Sequence, residues 1–284
     1  MNDSRITLSD GRGLAFSEIG DASGSTVFYF HGAPNSRLSL VPWEMEFASR
    51  GLRVVSPDRP GYGASSPQPG RTMSDWPTDV ARLADTLGID RFVVAGHSSG
   101  GPYAVACAAL LPDRVSGAVV LAGVTDMAWP EAWYGHSEAE IAMMRMPDEQ
   151  SVAAWCEELF GADGSGLLAS SGVELPEPDA ALFSDEKMAN AMLASITEAF
   201  RQGVGGYAQD IFVQGRAWPF APGAITTPAL LAHGELDTII PVAHSRHTAE
   251  LIPGSALRML PGHGHITISS ELPGLCAEVI QSLD

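Results

Sequence analysis

The sequence predicts an α/β fold: a mostly parallel central sheet flanked by helices, with an inserted helical cap. Three observations carry that reading. Short β-rich apolar runs alternate with helical patterns up to residue 125 and again after 223, the rhythm of βαβ units. The run Phe92–Ala95 ends in Gly96-His97-Ser98-Ser99-Gly100, and a small-residue helix pattern follows from Pro102 to Leu111. From 126 to 222 the alternation gives way to helical patterns alone. The expected division is a first core part at 1–125, a helical cap or lid at 126–222, and a second core part at 223–284.

Taken in order, Arg5–Ser9 and Leu14–Ile19 flank Asp10-Gly11-Arg12-Gly13, a hairpin signal. Thr26–Phe30 and Arg53–Ser56 read as short strands. The first ends in His31-Gly32-Ala33-Pro34; the second runs into the turn-rich loop Pro57–Ser65. Thr78–Leu87 has helical spacing, with Gly88 as C-cap. The strand Phe92–Ala95, the helix Pro102–Leu111 and the strand Gly117–Ala122 complete the first part. In the insert, Ser137-x-x-Glu140 is a capping box. Asp148 caps a helix that runs through Phe160 and stops at Gly161. Gly161–Pro178 reads as a loop. Ser184 is expected to open a longer helix to Phe200, which Gly203, Gly205 and Gly206 break. Alternation returns with strand Ala229–His233, helix Val242–Leu251, strand Ala256–Leu260 and a terminal helix over Pro273–Ser282.

Composition excludes several classes. Sixteen basic against 34 acidic residues give a net charge of −18, which repels nucleic acid and anionic membrane surfaces. The start, Met1-Asn2-Asp3-Ser4-Arg5, is polar with no apolar stretch behind it, so no signal peptide is expected. No apolar run approaches the ~20 residues that cross a bilayer. Cys107, Cys156 and Cys276 are odd in number and widely spaced, which gives no disulfide framework and no metal spacing. A cytoplasmic protein without cofactor or metal is the expectation; monomer and homodimer both remain open.

The chemistry centres on Ser98. Strand, abrupt turn and helix are the context of a nucleophile elbow, and Gly96 and Gly100 let strand and helix pass close to the serine. A neutral serine is a weak nucleophile and needs a base with an orienting acid. Leu230–His233 leads into Gly234-Glu235-Leu236-Asp237, a loop carrying acids. Leu257–Leu260 leads into Pro261-Gly262-His263-Gly264-His265, a loop carrying histidines. Both follow strands, where α/β sheets place their sites.

These stretches together resemble the α/β-hydrolase family over nearly the whole chain. Gly234-x-x-Asp237-x-x-x-Pro241 is similar to the family's acid loop, and Pro-Gly-x-Gly-His at 261–265 to its histidine loop. Asp58-Arg59-Pro60-Gly61-Tyr62-Gly63-x-Ser65 looks like the loop of the esterase, epoxide hydrolase and proline iminopeptidase branches, and His31-Gly32-Ala33 resembles the oxyanion-hole loop. The resemblance implies Ser98 as nucleophile, His265 as base and then acid, Asp237 as the group that fixes the imidazole, and the N–H groups of Ala33 and Ser99 as the oxyanion hole. Family members that open epoxides or remove halides carry aspartate at the elbow. Serine here implies acyl transfer, and a carboxylesterase for small to medium neutral, apolar esters is the favoured expectation.

Rivals stand beside each assignment. Glu235 and Asp126 compete with Asp237, and His263 with His265. His97 and His31 are expected to brace their loops, Asp58 and Arg59 to pin theirs, and Cys107 to pack in the core. His244 and His247 are expected on an exposed helix face. The insert carries 16 acidic and 4 basic residues, a field expected to disfavour anions unless salt screens it. Its methionines (Met127, Met143, Met144, Met146, Met188, Met192) and aromatics (Trp129, Trp133, Trp155, Phe160) are candidates for an adaptable apolar pocket or for simple packing. A proline-iminopeptidase-like aminopeptidase, a lactone, thioester or C–C hydrolase, and a non-catalytic binding protein of the same fold remain the alternatives.

Overall fold

The sequence alternation resolves into one eight-stranded sheet in a computed structural model that describes residues 2–167 and 174–283. The strands are β1 (Asn2–Thr7), β2 (Gly13–Gly20), β3 (Ser25–Phe30), β4 (Leu52–Pro57), β5 (Phe92–His97), β6 (Val115–Leu121), β7 (Ala229–Gly234) and β8 (Ala256–Leu260). Their order is β1-β2-β4-β3-β5-β6-β7-β8. The hairpin β1–β2 and the β2–β4 pair are antiparallel, and every other pair is parallel. The parallel strands β5 and β7 are buried along their whole length, as strands covered on both faces must be.

Helices α1 (Glu44–Ser49), α2 (Trp76–Thr86) and α3 (Gly101–Leu110) belong to the first part of the chain. The helix predicted over 78–87 begins two residues earlier, because Pro77 fits a first turn that lacks N–H partners anyway. Its Val80 and Leu83 are fully buried, worth about 1.5–3 kcal/mol each against exposure. Helices α4 (Glu138–Met144), α5 (Glu149–Phe160), α6 (Glu177–Leu182), α7 (Glu186–Ala199) and α8 (Gly205–Gln214) lie between β6 and β7. The chain closes with α9 (Val242–Leu251) and α10 (Leu272–Gln281). One core fills the face under α2 and α3; a second fills the face under α1 and α10. Among the described residues no helix is long and apolar enough to cross a membrane.

The expected caps form. Ser137 and Glu140 bond reciprocally at the start of α4, Asp148 accepts from the Ser151 N–H, and Gly161 ends α5 at φ 78°. Three expectations are corrected. Of the loop expected over Gly161–Pro178, residues 168–173 lie outside the described residues, and its last residues already belong to α6. The cap of α7 is Asp185, which accepts from the Met188 N–H, and not Ser184. Gly205 and Gly206 do not break a helix but open α8. A side chain on Gly206 would collide with the backbone of Gly61, so glycine there permits α8 to sit directly on the loop after β4.

Candidate active site

Three loops, those after β5, β7 and β8, meet at the carboxyl ends of the parallel strands, and the loop after β3 joins them. The first is the turn after β5, where Ser98 begins a 3-10 turn (Ser98–Gly100) that runs into α3. Ser98 has φ 55°, a left-handed conformation that costs a non-glycine residue about 1–2 kcal/mol. The surroundings hold it there. A Cβ on Gly96 would strike the Gly100 carbonyl, and one on Gly100 would strike the carbonyls of Phe30 and His31. Strand, turn and helix therefore pack backbone against backbone. A Cβ on Gly32 would lie 3.2 Å from Ser98 Cβ, so the loop after β3 reaches the serine as well.

The second and third loops follow β7 and β8 and are tied together. The N–H groups of Glu235 and Leu236 donate to the carbonyls of Leu260 and His263 at 3.1 and 3.0 Å. His265 Nδ1 donates to Asp237 Oδ2 at 2.7 Å. That bond fixes the tautomer and leaves Nε2 as the acceptor of a neutral ring. Asp237 Oδ1 accepts from the N–H groups of Ile239 and Ile240 at 2.8 and 2.9 Å. Burial pushes the Asp237 carboxyl up, but the bonds from His265 and the Ile240 N–H outweigh it and hold it below the usual carboxylate value. A second histidine, His233, stands with Nε2 3.3 Å from Asp237 Oδ2, donates to the Ile240 carbonyl and receives the Ser245 hydroxyl. Burial keeps it neutral by lowering its pKa.

Two more histidines brace the loops. His97 Nε2 donates to the His265 carbonyl at 2.8 Å, and the two rings lie 4.7 Å apart. Burial, then the neighbouring His265, pushes the His97 pKa down to about 3. His31 Nδ1 donates to the Gly32 carbonyl at 2.8 Å, while Nε2 accepts from the Arg59 N–H. Arg59 donates to the His31 carbonyl as well and pairs at 2.7 Å with Asp210 of α8, both fully buried. Arg71, Tyr62 and Tyr103 converge on the same carboxylate. Burial alone would raise the Asp210 carboxyl; Arg59 and Arg71 drive it far down instead. Asp58 is pinned by Arg37 at 2.7 Å. The loop at 57–65 is thus a bracket between α8 and the loop after β3, as expected of Asp58 and Arg59.

The cavity over Ser98 holds about 290 Å³. His97, Ser98, His265, Gly32 and Ala33 line it together with the apolar Leu175, Phe183, Met192, Ile196 and Ile239. Ser98 is only 8% exposed, because residues of the inserted segment help enclose it. A larger depression of about 580 Å³ around Asp185, Glu186, Lys187 and Asn190 is an open surface feature away from these groups. Ser99 sits inside the first helical turn, its carbonyl accepting from Gln214 of α8 at 3.3 Å.

The rival residues stand elsewhere. Glu235 is exposed, and His263 Nε2 lies 3.5 Å from Glu271. Asp126 is occupied by the N–H groups of Ala128 and Trp218. His244 is not exposed but fully buried: α9 packs it against the segment after β6, where Nδ1 accepts from the Thr125 N–H and Nε2 donates to the Ala132 carbonyl. Burial pushes its pKa down to about 4. His247 is partly covered, stacked 4.1 Å from Trp129. Of the methionines and aromatics considered for a pocket, Met192 alone lines this cavity. The rest belong to clusters between the inserted helices or against the core. Cys107 packs in the core as expected.

Asp179 of α6 was not anticipated. It is fully buried. Its Oδ2 accepts from the Ile266 N–H at 3.1 Å, and Oδ1 from the N–H and hydroxyl of Thr267 at 2.8 and 2.7 Å. Thr267 Oγ1 in turn accepts from the Gly264 N–H at 2.8 Å. The carboxylate therefore grips the backbone on both sides of His265.

A family model for the alpha/beta hydrolase fold matches residues 25–272. The chain is similar to a non-heme chloroperoxidase of Streptomyces lividans, 27% identical with 96% of this chain and 98% of that protein covered. It is also similar to a bifunctional esterase/perhydrolase of Acinetobacter calcoaceticus, 26% identical over 94% and 95% of the two chains. Its fold is that of a thermophilic esterase from Thermogutta terrifontis, with TM-score 0.71 and 24% identity over 100% of this chain and 98% of that one. Epoxide hydrolase A from Mycobacterium thermoresistibile has the same fold, at TM-score 0.75 and 22% identity over 100% and 99%.

Proposed function

We propose that this chain, which belongs to the α/β-hydrolase fold family, is a serine hydrolase that cleaves neutral carboxylic esters through an acyl-enzyme. One observation carries the reading: His265 and Asp237 are bonded at 2.7 Å in a buried site, and His265 shares its cavity with a serine held at φ 55°.

In this mechanism Ser98 Oγ attacks the ester carbonyl as His265 Nε2 takes its proton. Asp237 stabilises the imidazolium without becoming protonated. The N–H groups of Ala33 and Ser99 hold the oxyanion, each worth about 3–4 kcal/mol in the transition state. His265 returns the proton to the leaving alcohol, and water then repeats the sequence on the acyl-enzyme. Residues 126–222 act as the cap that limits access to the serine. The cavity wall contains no Asp, Glu, Lys or Arg among the described residues, which favours neutral, largely apolar esters, since a carboxylate without a partner is costly to bury. The same feature weighs against an aminopeptidase, whose substrate ammonium needs a wall carboxylate. The esterase/perhydrolase relative supports a second acceptor, hydrogen peroxide in place of water, giving a peracid from the same acyl-enzyme.

A fluorophosphonate probe and a panel of p-nitrophenyl esters, run beside proline p-nitroanilide, test the proposal. Labelling that is lost in Ser98→Ala, with turnover of esters only, is expected. No labelling and no ester turnover would refute it.

A further inference from the structure

Three histidines meet where the insert leaves β6, and the proposed mechanism uses none of them. Thr125, fully buried, marks the place. Its backbone N–H donates to His244 Nδ1 at 3.2 Å. Its hydroxyl accepts from the Thr248 hydroxyl at 2.9 Å and so donates its own proton to His247 Nδ1, also at 2.9 Å. Both histidines and Thr248 stand on α9. His244 Nε2 reaches on to the carbonyl of Ala132, in the 3-10 turn Pro130–Trp133, and the His247 ring stacks on Trp129. The His136 ring lies edge to face 5.4 Å from His244, with its Nε2 buried and without a hydrogen-bond partner among the described residues. The return end of the insert is tied to the same joint, because Asp126 Oδ1 accepts from the Trp218 N–H. The joint also adjoins the nucleophile turn: the Val124 N–H donates to the Ser98 carbonyl at 3.3 Å.

These bonds demand neutral rings. Nδ1 accepts only while it carries no proton. A proton on His244 sets an N–H against the Thr125 N–H, and a proton on His247 forces the Thr125 hydroxyl to turn away. The surroundings reinforce this. His244 faces other imidazoles, those of His136, His233 and His247, and burial and these neighbours hold its pKa down. Glu250 of α9 and Asp126 and Glu131 of the insert draw a proton toward His247, but burial outweighs them and lowers its pKa. Glu140 of α4 stands 4.0 Å from His136, where burial again prevails.

Resting on the reading of residues 126–222 as a cap over an esterase site, we propose that His244 and His247 form an acid-released latch: protonation frees the root of the cap, Thr125–His136, from α9 and opens the way to Ser98. Released imidazoles take up protons below about 6.5, and latched ones exclude them. Latching is therefore full above that pH. As pH falls below it, the opening equilibrium rises by about tenfold per unit for each histidine. The cap is then closed near neutrality and admits bulkier esters in mild acid.

Hydrogen exchange of the Thr125 amide, whose acceptor is His244 itself, reads the latch without substrate. Between pH 7.5 and 5.5, corrected for intrinsic exchange, its protection is expected to fall about 100-fold. It should also stay well below that of the β5 amides, which report global unfolding. His244→Asn/His247→Asn keeps acceptor oxygens that do not titrate, and there the fall is expected to shrink to about tenfold or less, the share left to His136. His247→Asn alone changes a partly covered position and should give about tenfold, which serves if the double variant does not fold. The opening over Ser98 is read from the labelling rates of a bulky and a small fluorophosphonate, taken as a ratio so that titration of His265 cancels. That ratio is expected to rise at pH 5.5 in the wild type, by up to the same ~100-fold, and to stay flat in the variants. Thr125 exchanging only together with β5, an equal fall in wild type and variants, or a flat wild-type ratio overturns the latch. If neither probe labels the wild type, the esterase reading fails separately, and exchange still decides whether the latch exists.

Discussion

Replacing Asp179 with alanine is expected to damage catalysis from outside the cavity. The residue does not line the cavity, yet its carboxylate accepts three hydrogen bonds from Ile266 and Thr267, and Thr267 holds Gly264. Hydrogen bonds to a charged group contribute about 1.5–3 kcal/mol each. Removing the charge also removes its burial cost, and some of the freed N–H groups rehydrate, so the net loss of stability is estimated at about 2–4 kcal/mol. In a chain of 284 residues that lowers Tm by about 3–7 °C. The kinetic effect is expected to be larger. The histidine loop is bonded to α6 on one flank and the acid loop on the other, and a displacement of about 1 Å can cost about 100-fold in rate. A fall in kcat of about 10–100-fold, with KM changed less than about threefold, is the expected split. Asp179→Asn keeps one acceptor oxygen but turns an amide N–H toward the backbone N–H of Ile266, so its loss should be intermediate. The assay is steady-state hydrolysis of a p-nitrophenyl ester well below each variant's Tm, with the fluorophosphonate labelling rate as a second readout. A folded Asp179→Ala enzyme with kcat within twofold of wild type would show that the loop holds His265 unaided.

Ser98→Ala and Ser98→Gly are both expected to lose about 10⁴-fold in kcat, and the glycine variant should melt higher than the alanine one by about 2–4 °C, since only alanine retains the strain at φ 55°; equal melting temperatures would mean the turn is unstrained. His265→Ala and Asp237→Asn should be nearly inactive while His263→Ala and Glu235→Gln keep most activity, and a dead His263→Ala beside an active His265→Ala would reverse the assignment. Burial lowers the pKa of His31, His97, His233 and His244. The unfolded chain therefore takes up protons below about 6.5 that the folded chain excludes, and stability is full above that pH and lost on acidification, by up to about 1.4 kcal/mol per histidine per pH unit. Denaturant titrations at pH 7.5 and 5.5 should differ by at least about 2 kcal/mol, and coincident curves would contradict the burial of neutral imidazoles. A methyl ester should be hydrolysed faster than its hemisuccinate analogue even at high salt; a preference that vanishes with salt would return the effect to surface charge.

Much of the fold was legible because its signals are local. The short apolar β-rich runs, the elbow glycines and the caps Ser137 and Asp148 each specify their own few residues. Boundaries set by tertiary contact were not legible. Ser184 and Asp185 are both competent caps, and only the folded chain shows that Asp185 reaches the Met188 N–H. Gly205 and Gly206 read as breakers because glycine weakens helices, yet their position against Gly61 is what permits a helix to start there. His244 read as exposed because helical spacing says which residues share a face but not what covers that face.

The site divides along the same line. Ser98, Asp237 and His265 stand out because loops at strand ends with special backbone demands leave glycines and a proline beside them. Asp179 leaves no such trace: Glu177-Pro178-Asp179 is indistinguishable in sequence from a solvated turn. Asp210 was more visible in principle, an acid followed by Ile211-Phe212-Val213, where burial requires a cationic partner. The acidic insert shows why a sum of charges is a poor guide to a field. Asp179 and Asp210 are buried and committed to backbone and arginines. Glu198 pairs with Arg37, and Asp148 and Asp185 cap helices. None of the insert's acids lines the cavity among the described residues, and those on the outer surface are screened over about 10 Å at 0.1 M salt. If the proposed esterase discriminates against anions, the cause then lies in apolar walls without a cation, a desolvation effect that salt does not remove.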